Sequence, residues 1–282
     1  MRRSGLVPVL ALVLAAMSLV LAGCLGDDDD DTTTTATTAG DLGLITEGTL
    51  LVGSDIPFPP FEQGKAPNYE GYDIDVVNEV AKRLGLQVEY KDTAFDTIFR
   101  DLAQGKFDMV ASATTITESR EKRVDFSDPY YEAQQALTVE PGSDVETEAD
   151  LGGKTVGAQD GTTGEEYAKD ETDAKNVRGF PEAADALNAL RGGQVDAVIL
   201  DEPAVQDAID KGQGGIEVAE VIMTDELYGF AFQQDSDVLR ERFNEVLAEI
   251  KGDGTLAGFY EKWFPGVEPT ESVLEGTNEQ LK

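Results

Sequence analysis

The chain of 282 residues carries 56 acidic and 22 basic residues, no histidine, and a formal net charge of −34. A surface of this sign repels nucleic acid and anionic lipid headgroups, which excludes nucleic-acid binding as its function. Dense carboxylates with few lysines favour a halophilic, haloarchaeal source, in which such a surface stays hydrated in strong salt. An acidic protein from an ordinary host is the alternative.

The first 23 residues have the pattern of a signal peptide. Arg2 and Arg3 precede an apolar run from Leu6 to Ala22, and small residues stand directly before Cys24. This arrangement resembles the lipobox of secreted lipoproteins, so we expect cleavage before Cys24, its lipidation, and a protein held at the outer face of the cytoplasmic membrane. An uncleaved anchor is the alternative, because about 18 apolar residues span a bilayer. The pattern does not decide between the general and the twin-arginine export routes.

The stretches that flank the central region are polar. Residues 24–43 are rich in aspartate and threonine and have no apolar period, which predicts a solvated tether. The aspartate run lacks the glycine and the spaced ligands of a calcium loop, so no metal site is predicted. Residues 267–282 are again polar and predict a flexible tail. With its one cysteine committed to the anchor, the chain has no disulfide to stabilise its fold.

Between these stretches, strand and helix patterns alternate. A short apolar strand over 50–52 is followed by apolar residues at helical spacing from Ile74 to Leu84, which Gly85 closes, and by a second strand over 86–90. Alternation of this kind predicts an α/β fold with largely parallel sheets.

A near-repeat indicates that two parts of this region are built alike. Residues 102–110 and residues 190–198 share a leucine, a glycine three positions on and an aspartate three positions after that, and both end in an apolar pair. Each copy predicts the end of a helix, a glycine cap, a short loop and a buried strand. The alternative is that ordinary helix-to-strand junctions use the same chemistry.

Complementary polar groups follow the two repeated strands. Hydroxyl groups, backbone amides and Arg120 follow the first strand, and Asp201 follows the second. Ligands of open parallel sheets lie beyond the carboxyl ends of the strands. A guanidinium matches a carboxylate and an aspartate accepts from an ammonium, so the pair suits an α-amino acid. A surface salt bridge of Arg120 with Glu118 or Glu121 is the alternative.

At this point the chain resembles the polar amino-acid-binding proteins of ABC transporters, solute-binding protein family 3, which include the glutamine- and histidine-binding proteins. The segments that carry the resemblance are GSDIPFPPFE (53–62), GYDID (71–75), TITESREKRVDFSDPYY (115–131), GTT (161–163) and GTLAGFYEKWF (254–264). They follow the family's order over nearly all of residues 50–264.

The resemblance implies a two-lobed periplasmic-binding-protein-like fold of type II, each lobe a mostly parallel sheet flanked by helices. Lobe 1 would comprise residues 44–132 and 232–266, and lobe 2 residues 133–231. Two crossover strands, at about 132–139 and 227–232, would join them, and hinge closure would bury the ligand.

The resemblance also places nine residues at the ligand site and assigns roles to all of them except Gln159. Arg120 and backbone amides of two threonines would hold the α-carboxylate, an aspartate and the Ala113 carbonyl would take the α-ammonium, two phenylalanines would enclose the side chain, and Asp55 would contact its polar end. The nine residues are Asp55, Phe58, Phe95, Ala113, Thr115, Arg120, Gln159, Thr163 and Asp201. Alternatively, Phe58 and Phe95 are ordinary core residues, and Asp55 caps a turn before a proline.

Two departures from the glutamine-binding pattern bear on the ligand. Gln159 stands where those proteins have lysine, and Leu200 where they have histidine. A carboxylate at Asp55 between aromatic faces suits a cationic side chain, so arginine or lysine is favoured over neutral polar amino acids. The resemblance implies a monomer that delivers its ligand to an ABC permease and its ATPase, without a cofactor. The alternative is an enzyme on the same fold, a cyclohexadienyl or arogenate dehydratase.

Overall fold

A computed structural model of the protein describes residues 42–278. The predicted signal peptide, Cys24 and the predicted tether up to residue 41 lie outside the described residues. Within 42–278, no helix combines the length and the apolar character needed to cross a membrane.

The described residues form strands and helices in the alternating order that the sequence predicts. The strands are β1 (Thr49–Ser54), β2 (Gln63–Lys65), β3 (Asn68–Glu70), β4 (Gln87–Asp92), β5 (Met109–Val110), β6 (Asp125–Phe126), β7 (Tyr131–Val139), β8 (Thr155–Gln159), β9 (Asn176–Phe180), β10 (Ala197–Asp201), β11 (Glu217–Tyr228) and β12 (Ala231–Phe232). The helices are α1 (Tyr72–Leu84), α2 (Phe95–Ala103), α3 (Glu118–Glu121), α4 (Thr163–Asp170), α5 (Ala183–Arg191), α6 (Glu202–Asp210), α7 (Asp237–Gly252), α8 (Thr255–Trp263) and α9 (Glu271–Glu275), with one 3-10 turn at Glu148–Leu151.

Helix α1 shows how the sequence sets these boundaries. Gly71 precedes it, and a Cβ added there would lie 1.9 Å from the carbonyl oxygen of Phe61, so only glycine fits. At the other end Gly85 adopts φ +75°, and its N–H bonds to the carbonyl groups of the last turn. Glycine reaches this left-handed conformation without a steric penalty. The predicted helix up to Leu84 and the predicted strand after it are confirmed.

Two five-stranded sheets organise the molecule into two α/β lobes. Their strand orders are β4-β1-β5-β12-β6 and β11-β7-β10-β8-β9. The pairs of β1 with β4 and β5, and of β8 with β9 and β10, are parallel. The pairs made by β7, β11 and β12 are antiparallel, because these strands carry the chain between the sheets and back. The sheets are therefore mixed, where the sequence indicated mostly parallel ones.

The crossover segments meet above an aromatic cluster. Strand β7 begins at Tyr131, one residue before the predicted crossover, and pairs antiparallel with β11 as far as Tyr228. Phe61 packs edge-on against both rings, with centroids 5.1 and 5.5 Å away. Phe264, from the end of α8, lies 4.7 Å from the Tyr131 ring. This packing fixes where both crossover strands leave the first sheet.

The predicted repeat is a structural repeat. In both copies a helix, α2 or α5, ends before a glycine of positive φ, +73° at Gly105 and +62° at Gly193, and a buried strand follows. The aspartates match as well. Asp108 accepts from a backbone N–H of β1 at 2.8 Å, and Asp196 accepts from a backbone N–H of β8 at 2.7 Å. Each aspartate thus attaches its loop to the neighbouring parallel strand.

The segment after Phe264 differs from the flexible tail that was predicted. Thr270 caps α9, and the Val273 side chain is fully buried. Asn278 is also buried, and its backbone N–H donates to Asp128 at 2.9 Å. A few apolar residues in a polar segment are too weak a periodic signal to predict this, but a capped turn that buries one valine is enough to attach the segment to the rest of the fold.

Candidate functional site

All nine residues assigned from the sequence line one cavity between the two sheets, together with Ser112 and Thr162. The cavity is small, with a volume of about 10 Å³. Such a volume holds about one water molecule. The lobes are therefore closed tightly on each other, and they must separate to admit anything the size of an amino acid.

One end of the cavity is a cationic corner built by Arg120. Its Nη1 donates to the carbonyl oxygen of Thr115 at 2.9 Å, and its Nη2 donates to that of Gly161, in the other lobe, at 3.3 Å. Its Cζ lies 5.4 Å from the centre of the Phe95 ring. Arg120 therefore points inward between the lobes. Burial lowers the pKa of its guanidinium, and the charge of Glu226 opposes this shift.

Backbone donors complete this corner. Thr163 is the first residue of α4, whose cap is the Thr162 hydroxyl, which accepts from the N–H of Glu165 at 3.2 Å. The first N–H groups of a helix have no partner inside the helix and carry partial positive charge, so they attract carboxylates. Gly161, just before the cap, approaches α2 so closely that a Cβ there would lie 3.1 Å from the Asp96 Cα.

Asp201 adds an anionic group to the same cavity. Asp201 ends strand β10, and its carboxylate accepts from Gln135 Nε2 at 2.5 Å and from the Tyr228 hydroxyl at 2.7 Å. Burial, with a smaller contribution from the nearby charge of Glu226, raises the pKa of Asp201 to about 7. A carboxylate held by two donors and short of compensating charge is suited to accept an ammonium group.

Asp55 joins the lobes at a third point. Gln159, at the end of β8, donates from Nε2 to Asp55 Oδ2 at 2.6 Å. Burial and the charge of Glu182 raise the pKa of Asp55 to about 7, while the bond from Gln159 lowers it. Because the carboxylate is almost fully buried and bonded across the cleft, it does more than cap the turn before Pro57.

The aromatic residues fit both interpretations given for them. Phe58 and Phe95 are buried and line the cavity, and each also packs on a second ring, Phe61 at 6.1 Å and Phe99 at 5.8 Å. Each therefore presents a rigid apolar face to the cavity while the rest of its ring belongs to the surrounding core. Rigidly held aromatic faces are typical of residues that contact the flat or aliphatic part of a ligand.

Two further buried acids lie directly behind the cavity wall. Ser112 donates to Glu62 at 2.9 Å and accepts from the Asp55 N–H at 3.0 Å. Asp73 accepts from the N–H of Ala113, which adopts a left-handed φ of 46°, and from the Tyr130 hydroxyl. Burial raises the pKa of Asp73 to about 7 and that of Glu62 well above its usual range. These acids hold the strained loop after β5 in place.

Sequence reasoning missed three residues that shape the site: Gln135, Glu226 and Tyr228. All three lie on the crossover strands β7 and β11 and bond to predicted site residues. Gln135 is fully buried, but β7 also contains Glu132, Gln134 and Thr138, so its sequence does not single Gln135 out.

The arrangement therefore combines two lobes, an enclosed cavity, a cationic corner at one end and carboxylates elsewhere. This is the layout of a binding protein that closes on a small polar solute. The family of bacterial extracellular solute-binding proteins, family 3, matches residues 50–266, and the chain belongs to that family.

Curated relatives agree with this assignment. The chain is 32% identical over 231 residues to the L-cystine-binding protein TcyJ of Escherichia coli (strain K12), covering 79% of this chain and 87% of that protein. It is 33% identical over 219 residues to the ABC transporter arginine-binding protein 1 of the same strain, covering 76% and 89% respectively.

Solved structures share the fold. An ancestral arginine-binding protein bound to arginine superposes with a TM-score of 0.73 at 39% identity, covering 77% of this chain and 98% of that one. The arginine-, lysine-, histidine-binding protein ArtJ of Geobacillus stearothermophilus has a TM-score of 0.74 at 35% identity, covering 80% and 99%. AncCDT-1, an ancestral amino-acid-binding protein and precursor of cyclohexadienyl dehydratase, has a TM-score of 0.72 at 37% identity, covering 77% and 96%.

Proposed function

We propose that this protein is the substrate-binding component of an amino-acid ABC importer and that it closes its two lobes around a polar amino acid, with arginine or lysine favoured. The observation that carries the proposal is the polarity of one cavity. Arg120 and Asp201 line the same cavity, and they follow strands of different sheets. Only a ligand with both an anionic and a cationic group satisfies both residues.

The α-carboxylate would bind in the cationic corner. The Arg120 guanidinium is planar and offers parallel donors, and the amides of Thr115 and Thr163 would add neutral ones. The α-ammonium would lie at Asp201, with the Ala113 carbonyl as a second acceptor. Gln135 and Tyr228 already orient the Asp201 carboxylate, so this side chain would lose little conformational entropy when the ligand binds.

The side chain would extend between Phe58 and Phe95 towards Asp55. A cationic end group would pair with that carboxylate and interact with the aromatic faces. The Gln159 amide, which now donates to Asp55, would rotate towards the carbonyl of Pro181, to which it also bonds at 3.1 Å. An acidic side chain fits this end worst, because it would meet a buried carboxylate. The arginine-binding relatives are in keeping with this preference.

The family and the sequence indicate the transport partners and the location of the protein. An extracellular binding protein passes its ligand to a membrane permease and its ATPase, which must contact the closed form differently from the open form for closure to act as a signal. We expect the mature protein to be a monomer attached at the outer face of the cytoplasmic membrane through lipidated Cys24.

An enzyme on the same fold is the second candidate, and the likeness to a precursor of cyclohexadienyl dehydratase favours it. A dehydratase needs an acid next to a leaving hydroxyl. Asp55 and Asp201 have pKa values raised to about 7 and would supply a proton. Both carboxylates are, however, already bonded by amide or hydroxyl donors, as expected of binding groups, so we favour the binding function.

A thermal-shift screen of the purified protein in strong salt against the twenty amino acids tests the proposal. A ligand that binds only the folded state raises the unfolding midpoint. We expect the largest shifts with arginine or lysine. If only neutral amino acids raise the midpoint, the assignment of Asp55 is wrong. If none does and prephenate is consumed, the enzyme is the better interpretation.

A further inference from the structure

Glu226 makes a set of contacts that the proposed ligand contacts do not explain. It lies on crossover strand β11 and is buried. Its Oε2 accepts from the Thr115 hydroxyl at 2.5 Å and from the Thr163 hydroxyl at 2.8 Å, and its Oε1 accepts from Gln135 Nε2 at 2.9 Å. One carboxylate thus collects three hydrogen bonds in a site that is short of positive charge.

The two threonines belong to different lobes. Thr115 follows β5 of the first sheet, whereas Thr163 begins α4, which packs on the second sheet. Glu226 lies on β11, which pairs with β7 in the second sheet, so its bond from the Thr163 hydroxyl stays within that half of the molecule. Its bond from the Thr115 hydroxyl joins the two halves. Separation of the lobes would therefore act on the Thr115 bond.

Glu226 does not line the cavity itself, although its charge acts on Arg120 and Asp201. Thr115 and Thr163 line both the cavity and a second, open groove of about 550 Å³, and Glu226 lines that groove. Glu226 therefore contacts the threonines from outside the cavity. The bonds from Gln159 to Asp55 and from Arg120 to Gly161 also cross the cleft, but they involve groups that the ligand would engage.

We propose that Glu226 is a positioning residue that latches the closed form, by accepting one hydroxyl hydrogen bond from each lobe. This inference rests on the proposed function, because it explains how closure is held once a ligand is bound. Hydrogen bonds to a charged acceptor are stronger than neutral ones. The latch acts on the closed state alone, so it lowers the rate of ligand release and leaves the rate of association unchanged, whichever side chain the ligand carries.

The test compares Glu226→Gln with Asp225→Asn. Both changes remove one negative charge from the same strand and the same groove, but Asp225 bonds to Gln134 and not to the threonines. Asparagine also tolerates the left-handed φ of 50° at position 225. Affinity is measured by calorimetry and release by stopped flow, with arginine and with glutamine, and circular dichroism checks that both variants fold.

We expect Glu226→Gln to weaken both ligands by the same factor of about ten, with the whole change in the release rate. Asp225→Asn should stay within about twofold of the wild type. In a cycle with the double variant Thr115→Val and Thr163→Val, the Glu226→Gln effect should largely disappear, because both hydroxyl partners are already gone. The latch is overturned if the two charge variants behave alike, or if Glu226→Gln weakens only one of the two ligands.

Failure of the proposed function would be seen separately. If the wild type binds no amino acid, the latch is judged by X-ray scattering of the protein alone. A radius of gyration that is larger in Glu226→Gln than in both the wild type and Asp225→Asn supports it. Equal radii in all three proteins overturn it.

Discussion

The two copies of the repeated unit are built alike and end differently. Both bring a helix through a glycine of positive φ into a buried strand, and both attach the loop with an aspartate. After β5, however, the chain supplies hydroxyls, amides and Arg120, whereas β10 ends in Asp201. One scaffold used twice therefore supplies a cationic and an anionic group to one cavity. The fold sets where the site lies, and a few residues after each strand set what it binds.

The largest effect is expected from the cationic end. Arg120→Ala should weaken arginine binding about a thousandfold, because it leaves a buried ligand carboxylate without its charged partner. Calorimetry measures the loss. Arg123→Ala is the control, since Arg123 is exposed three residues away, and it should bind as the wild type does. Equal behaviour of the two variants would remove Arg120 from the site.

The second-largest loss of affinity is expected from a change at Asp201. Asp201→Asn keeps the shape of the side chain but loses the charge that pairs with the ammonium, which predicts about a hundredfold weaker binding. The exposed Asp210, on α6, offers a matched Asp→Asn control. The wild type should bind arginine more tightly than Nα-acetylarginine. If Asp201→Asn binds the two with equal affinity, Asp201 recognises the α-ammonium group.

The pH dependence follows from the same carboxylates. The pKa values of Asp55 and Asp201 are raised from 3.8 to about 7, so below pH 7 both hold protons that a cationic ligand must displace. Arginine binding should therefore strengthen by about tenfold or more between pH 5 and pH 8, with proton release on binding. Titrations in buffers of different ionisation enthalpy count those protons.

The protein alone should respond to pH in the opposite sense. Since both folded-state pKa values exceed the unfolded value of 3.8, the folded state binds more protons between pH 4 and pH 7. The stability that these two acids contribute is complete below about pH 4 and is lost as the pH rises through about 7. A thermal unfolding midpoint that rises between pH 4 and pH 7 would contradict the raised pKa values of Asp55 and Asp201.

Asp55 should affect which amino acid is preferred more than how tightly amino acids bind in general. Asp55→Asn removes the negative charge that would face the ligand side chain, while keeping a hydrogen-bond partner for Gln159. The affinity for arginine should therefore fall about tenfold, and the affinity for glutamine much less. The ratio of the two affinities is the relevant measurement. An unchanged ratio would mean that the ligand side chain does not reach this end of the cavity.

The smallest effect on binding is expected far from the cavity. Val273→Ala in α9 should lower the free energy of unfolding by about 1–2 kcal/mol, because it removes two buried methyl groups, and leave the affinity unchanged. Leu274→Ala, at an exposed neighbour in the same helix, is the control. Chemical denaturation compares the two, and equal stabilities would mean that α9 does not pack on lobe 1 in solution.

Local patterns were enough to place the ends of β5 and β10 to within two residues, and with them the polar residues that follow each strand. Gln135, Glu226 and Tyr228 could not be found in this way, because they reach the site through antiparallel pairing of β7 with β11, across 91 residues in the case of Gln135 and Glu226. No local period carries that information. The same pairing explains why the sheets are mixed rather than mostly parallel.

On this account, Arg120 and Asp201 recognise the two charged groups of one amino acid. Calorimetry of the wild-type protein with arginine, agmatine and Nα-acetylarginine tests it directly, because agmatine lacks the carboxylate and the acetyl derivative lacks the ammonium. We predict that arginine binds and that each analogue binds at least about a hundredfold more weakly. Agmatine that binds as tightly as arginine would contradict the account, since Arg120 would then have no carboxylate to hold.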